Sequence, residues 1–265
     1  MTSLPSDDHL LVSYERRVLE GDFREFYKAK RNNWLATVQA FQGLWRCFLL
    51  LDEMWQRGFE DCERITDVRQ MLPLILFMNA HAQFRIALEL GFSCCIGEAW
   101  NVLRSGIESI AHAHKLCREP QLIEVWACKG DGPSQAKAFS KAFEKDKQQS
   151  LFPVRYGLDK LHTYWTEFSE LGTHTTVGSL AKRFVSRERE EDVEWKLEYF
   201  ETDAERQAIF LFSQLEAGAL MEKAFYDCFE ARLKLDPTLS KMREEFRRKK
   251  EIQRTSLARR FKLPR

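Results

Sequence analysis

At 265 residues, 44% hydrophobic, 31% charged and 12% aromatic with twenty Phe and seven Trp, the chain holds enough apolar surface to bury a large core, which excludes disorder of the whole. Twelve Gly and seven Pro are too few for turn-dense β architectures and favour long helices. The net charge of +1 is unevenly placed: residues 241–265 carry eleven Lys or Arg against three Glu, a local +8 that leaves the first 240 residues at −7.

Met1 to His9 are polar and acidic, without the charged and then apolar pattern of a secretory signal. Ahead of the first clear helix, Tyr14, Val18, Phe23 and Phe26 mark a weaker helical segment. Trp34, Val38, Phe41, Trp45 and Phe48 then recur at spacings of four and three, with Leu35 and Leu49 alongside, which predicts one amphipathic helix over about 33–57. Asp67 is placed to cap the next helix, with Pro73 tolerated near its first turns, and this helix is expected to run through Leu76, Ala80 and Ala87 to Leu90 and to end at Gly91. Its apolar run, 71–78, is shorter than the roughly 20 residues that span a bilayer. No integral membrane association is expected.

Residues 93–117 show three stripes at about 100° per residue. Ile96, Trp100, Leu103, Ile107, Ile110 and His114 form a packing seam. Cys95, Ala99, Val102, Gly106, Ser109 and Ala113 form a face with little side-chain bulk, against which another helix can approach closely. The third stripe, Arg104, Glu108 and His112, is polar. Two covered faces out of three predict a helix at the middle of a bundle.

Glu119-Pro120 opens a short helical piece to Cys128, residues 129–133 read as a loop, and 134–149 read as a superficial helix with Phe139 and Phe143 four apart. A better helix starts at Leu158, runs through Leu161, Trp165 and Phe168 and ends at Gly172, with hydroxyl-rich residues 173–179 after it. Val193, Trp195, Leu197 and Tyr199 alternate with charged residues, which predicts an extended segment, either half of a short hairpin or a crossover. Asp203 opens a long helix with Ile209, Phe212, Leu215, Ala219, Phe225 and Phe229. Pro237 marks the boundary between a bundle domain, 1–236, and a basic helical tail, 237–265. The expected class is all-α, an up-and-down bundle of long helices with at most one short extended or hairpin segment near 193–199.

Seven cysteines, odd in number and without a CxxC pair, read as free thiols in a reducing compartment, which places the protein in the cytoplasm. Cys94-Cys95 sits at a helix start, where a thiolate pKa can fall, but in positions that call for small packing residues. Phosphate-loop and dinucleotide glycine patterns are absent. No Glu-x-x-His pair suggests a di-iron centre, and Glu108 with His112 has no matching pair elsewhere. Neither metal nor cofactor is expected.

Three places carry candidate chemistry. In the first, Glu108 lies four residues from both Arg104 and His112, so it can orient one and raise the basicity of the other, a set able to bind a phosphate or move a proton. Alternatively, Glu108 neutralises Arg104 in a crowded bundle, or the stripe faces water. In the second, His174 lies among the hydroxyls of Ser169, Thr173, Thr175 and Thr176, as acid, base or anion ligand, or merely between a C-cap at Gly172 and the next N-cap. Convergence of Arg104, Glu108 and His174 would strengthen both. In the third, Arg247, Arg248, Lys249 and Lys250 attract RNA or another phosphate-bearing ligand, or form a solvated helix answering the acidic 188–205 region.

An Arg, three residues and a Glu on a long helix (Arg104, Glu108), followed much later by a helix ending in Ser169 with His174 nearby, resembles the uncharacterised helical proteins grouped under the DUF5677 label, themselves loosely similar to the HEPN superfamily. The resemblance covers about 77–229 and implies an up-and-down bundle and dimerisation. HEPN ribonucleases carry an Arg, four to six residues and a His at a dimer interface, where the pair cleaves RNA without metal. Here seven residues separate Arg104 from His112, and the six between Arg155 and His162 include Gly157 at a loop-to-helix junction. Two functions are therefore carried forward. One is a non-catalytic, dimeric binding or regulatory module. The alternative is a HEPN-like metal-independent ribonuclease or RNA-binding protein of a stress or phage-defence system, using Arg104, His112 or His174 with the basic tail.

Overall fold

Three aspartates each stop a turn and start a helix. Asp67 accepts from the Arg69 amide at 2.9 Å, Asp203 from the Glu205 and Arg206 amides at 2.8 and 3.1 Å, and Asp236 from the Thr238 amide at 2.8 Å, satisfying donors that the first helical turn leaves open. In the computed structural model, which describes residues 20–170, 184–188 and 193–262, these caps open three of the long helices of an all-α bundle.

In chain order the long elements are α1 (Gly21–Ala40), α2 (Gln42–Cys62), α3 (Val68–Phe92) and α4 (Ile96–Arg118). Short pieces follow: a 3-10 turn (Pro120–Leu122), α5 (Ile123–Ala127), α6 (Pro133–Phe139), a π turn (Ser140–Glu144), α7 (Lys147–Ser150) and a second 3-10 turn (Val154–Tyr156). The chain then forms α8 (Asp159–Phe168), strands β1 (Phe184–Glu188) and β2 (Val193–Leu197), α9 (Ala204–Leu233) and α10 (Pro237–Phe261). β1 and β2 pair antiparallel, Phe184 opposite Leu197 and Glu188 opposite Val193, so the alternating segment is the second strand of a hairpin and not a crossover.

Helix α4 packs most extensively on α3, across a three-residue link, and also touches α8 and α9, as its stripes require. Gly106 shows why the small face is small: a Cβ there would lie 3.2 Å from Met221 Cε of α9 and 3.4 Å from the Ala80 carbonyl of α3. Leu103, Ile107, Ile110 and His114 of the seam are buried. Trp100 stands 4.4 Å from the Phe168 ring of α8 and 4.6 Å from the Phe210 ring of α9, tying three helices together.

Several sequence expectations need correction. The single helix over 33–57 is two helices, broken at Phe41 (φ −125°, ψ 39°). The break lets α1 lie against α3 while Leu44, Phe48, Leu51 and Trp55 of α2 stay in the core, and it brings Trp34 edge-on to Trp45 at 5.4 Å. Gly91 does not end α3, which runs on to Phe92; it is buried where a Cβ would lie 2.6 Å from Phe210 Cε1 and 2.7 Å from Gln214 Oε1. Residues 134–149 are superficial as expected, but they divide into α6, the π turn and the start of α7, anchored on α4 by the buried Phe139 and Phe143. On α9 the innermost face is Phe210, Leu211, Leu215, Met221 and Phe225, whereas Ile209 is exposed. Helix α10 lies on α2 and α9 and buries Leu239, Met242, Phe246 and Leu257 in the same core.

Candidate functional site

The polar stripe on α4 divides into two environments. Arg104 Nε donates to Ser169 Oγ at 2.7 Å, and that hydroxyl in turn donates to the Trp165 carbonyl at 2.6 Å. The guanidinium lies 4.8 Å from the centre of the Trp165 ring, and its Nη2 stands 3.7 Å from Glu108 Oε2. Arg104 and Glu108 are each about a quarter exposed. Arg104, Glu108 and Ser169 thus meet where α4 crosses α8.

His112, one turn further on, sits among different neighbours. Its ring stacks on Phe143 at 5.2 Å and Phe139 at 6.0 Å, and Nδ1 accepts from the indole Nε1 of Trp126 at 3.2 Å. The aromatic box around it comes from α5, α6 and the π turn. Nearby, buried Lys115 donates to the Ala142 and Ser150 carbonyls at 2.8 and 2.7 Å, fastening the same short elements to α4. Thr173 and His174 lie outside the described residues.

The basic residues of α10 are partly engaged. Lys249 pairs with Glu245 one turn away at 2.6 Å, Lys250 with Glu216 of α9 at 3.3 Å, and Arg247 Nε donates to the Arg243 carbonyl at 3.3 Å. Arg248 lies on the outward face of α10 with Ile252 and Arg259, along an open groove. The helix finds acidic partners at Glu216 and Glu222 of α9.

Those two glutamates belong to a cleft that sequence reasoning missed, where α8, α9 and α10 close over Met54 of α2. Arg243 of α10 is ion-paired with Glu222 of α9, and its guanidinium lies 3.9 Å from the centre of the Tyr226 ring. Burial raises the Glu222 carboxyl to about 7, against the opposing pull of Arg243. Glu216 accepts from the Tyr164 hydroxyl at 3.1 Å and from Lys250. Burial, with the Glu216 charge second, holds the Tyr164 phenol well above its ordinary range. A signal for this site exists in the sequence, since Glu216 and Glu222 interrupt the apolar pattern of α9, but their partners lie on other helices.

A further polar cluster ties α2 to α3. Asp52 accepts from His81 Nε2 at 2.7 Å and from Arg85 through two bonds of 2.6 and 2.7 Å, and these partners hold its carboxyl well below the ordinary range against the cost of burial. All seven cysteines are free thiols. Burial raises the pKa of Cys47 and Cys94 and lifts Cys62 and Cys95 to about 11, the opposite of what an activated nucleophile needs. Among the described residues no group of three or more His, Cys, Asp or Glu is arranged to hold a metal ion. Comparison with models of known families, with curated proteins and with solved structures finds no match.

Proposed function

We propose that this chain is a non-catalytic, homodimeric helical module that acts by binding. The observation that carries this reading is the outward face of α3, where Val68, Met71, Ile75, Met78 and Ala82 follow one another at spacings of 3, 4, 3 and 4, with Ile86 one turn further. All six are exposed, Val68 to 66% and Ile75 to 53%. That spacing is the seam of a helix pair, and contiguous apolar surface of this kind marks an interaction site. The opposite face of α3 is occupied by α1, α4 and α9.

The occupant we assign is a second copy of the chain, packed antiparallel about a two-fold axis near Met78. That register sets Met71 against Ile86 and Ile75 against Ala82. It makes the apolar interface self-complementary. A single-helix seam falls short of the roughly 800 Å² per partner of a standard interface, so the dimer is expected to dissociate on the order of micromolar. Because it is apolar on both faces, α3 also has the length and composition to cross a membrane, with a mean hydropathy of 1.3 over its best window, of which 44% is buried in the bundle. A second copy is the better occupant, since Arg85 and Glu89, charged and paired with Asp52 and Lys30, lie beside this stripe.

The stripe on α4 supports the non-catalytic part of the reading. Arg104 is spent on a hydroxyl, an indole face and a carboxylate, and His112 is wedged among aromatics, so the two do not converge on one shared space. The free thiols suit a cytoplasmic setting. Sedimentation velocity across a concentration series tests the proposal: a monomer–dimer equilibrium is expected, and a monomer at every concentration up to about 100 μM would contradict it.

The second reading, a HEPN-like ribonuclease, draws on the contact between Arg104 and Ser169, two of the residues that carry the resemblance, and on the outward Arg248 and Arg259 of α10. Incubating purified protein with total RNA and EDTA separates the two. The non-catalytic reading expects intact RNA from wild type and from a His112→Ala, His174→Ala double variant. Cleavage by wild type that the double variant loses would establish the alternative.

A further inference from the structure

The cleft between α8, α9 and α10 has a charge excess that its own contacts do not neutralise. Lys160, Lys223, Arg243, Arg247 and Lys250 line it, against the carboxylates of Glu216 and Glu222. Lys223 is shared with Asp227 outside the lining, and Lys160 is exposed. Arg243 and Lys250 are different: their side chains are only 20% and 25% exposed, so two cations stand largely out of water with one carboxylate each. Each of these two is matched by a carboxylate, so the excess that draws an anion is carried by Arg247 and Lys160, while Arg243 and Lys250 add donors where the local dielectric is lowered.

The cations are also held in place. Glu222, 5% exposed, pins Arg243, and Tyr226 supports the guanidinium from below. Glu216 grips Lys250 while accepting from Tyr164 on α8, so α8, α9 and α10 are bound into one rim. A rim fixed before the ligand arrives avoids the ordering cost of binding. The floor is apolar: Met54, Ala219, Leu220 and Phe246. The space within this half-open cleft is about 220 Å³, below the roughly 300 Å³ at which sites for drug-sized ligands begin. A bare inorganic anion would leave that floor uncovered, and a dinucleotide would not fit.

We propose that this cleft is a binding site for a small phosphate monoester, with Arg243, Arg247 and Lys250 taking the phosphate and the carbon skeleton lying on Leu220 and Phe246. Glu216, at the rim, accepts from hydroxyls of the ligand. Guanidinium donors suit phosphate geometry, and a lysine adds a point charge beside them. The site lies on α8, α9 and α10 and not on α3, so it stands whether or not the chain dimerises.

Isothermal titration calorimetry on the full chain tests this, with ribose 5-phosphate, ribose and inorganic phosphate as probes. Ribose 5-phosphate is expected to bind, ribose not to bind, and inorganic phosphate to bind about tenfold more weakly than the monoester. Arg247→Gln with Lys250→Gln should weaken ribose 5-phosphate by about tenfold or more, while Arg259→Gln on the far side of α10 should leave it unchanged. Because Lys250 also ties helices together, Ala219→Leu serves as a second variant: it fills the floor, alters no charge and should abolish binding with the fold intact by circular dichroism. Absence of ribose 5-phosphate binding to wild type, equal affinity for inorganic phosphate, or undiminished binding to the Ala219→Leu variant would each overturn the proposal.

Discussion

Replacing Arg104 by alanine removes three contacts at once: the 2.7 Å hydrogen bond to Ser169, the guanidinium over Trp165 at 4.8 Å, and the 3.7 Å ion pair with Glu108. A hydrogen bond from a charged donor contributes about 1.5–3 kcal/mol. The ring contact adds about 0.5–1 kcal/mol, and an ion pair about a quarter exposed adds at most about 1 kcal/mol. These share one side chain and do not simply add, so a total loss of roughly 2–4 kcal/mol is expected. Urea denaturation should show a lower midpoint with an unchanged slope, as befits a loss of native contacts without a change in surface exposed on unfolding. The melting temperature should fall by roughly 5–10 °C. Arg104→Lys should recover less than half of the loss, because a point charge cannot reproduce the planar fork that reaches Ser169 while standing over the indole ring. A stability within about 0.5 kcal/mol of wild type would refute the structural role assigned to Arg104.

Two further substitutions probe the packing and the pH response. Gly218 of α9 faces Phe84 and Leu51, both fully buried; a Cβ would meet the Phe84 ring and stand 3.1 Å from Leu51 Cδ2. Alanine gains about 1 kcal/mol of helix propensity, but overpacking costs about 1–3 kcal/mol, so Gly218→Ala should be net destabilising in thermal melts; a stabilised variant would show that the α2, α3 and α9 packing is looser than described. His114 is 1% exposed, and burial, with Arg118 repulsion second, lowers its pKa from 6.5 to about 4. A depressed folded-state pKa gives stability that is present above pH 6.5 and is lost as pH falls toward 4, so wild type should weaken relative to His114→Phe by roughly 3 kcal/mol across that window. A pH-independent difference between the two proteins, measured by urea melts at pH 7.5, 5.5 and 4, would contradict this.

The central helix was legible because its information is local. Every third or fourth residue of 96–118 repeats a side-chain size, and Gly106 and Ala113 leave room only for a neighbour's backbone or thin side chains. The caps at Asp67 and Asp203 were legible for the same reason, since donor and acceptor lie two or three residues apart. The kink at Phe41 was not, because Trp34, Val38, Phe41 and Trp45 keep helical spacing straight through it. What turns the chain there is the packing of α1 on α3, a tertiary contact. The box around His112 leaves little trace, because Phe139 and Phe143 are isolated apolar residues in a polar, superficial stretch. The cleft was least legible: Tyr164 and Glu216 lie 52 positions apart, Lys250 and Glu216 34 apart, and none of the pairs leaves a local pattern. The exposed face of α3 was in plain sight as Met71, Ile75, Met78 and Ala82, but a helix apolar on all sides reads as a core helix until a structure shows which side is covered.

Dimerisation depends on that face. Ile75→Glu with Met78→Glu places two carboxylates in the antiparallel seam, where the one at 78 meets its like at the two-fold axis and the one at 75 is buried against Ala82. Sedimentation equilibrium of wild type and this variant over the same concentrations is the direct measurement. A self-associating wild type and a variant that is monomeric throughout, with an unchanged far-ultraviolet circular dichroism spectrum, is the predicted result. A variant that dimerises as tightly as wild type would contradict the assignment of α3 as the interface.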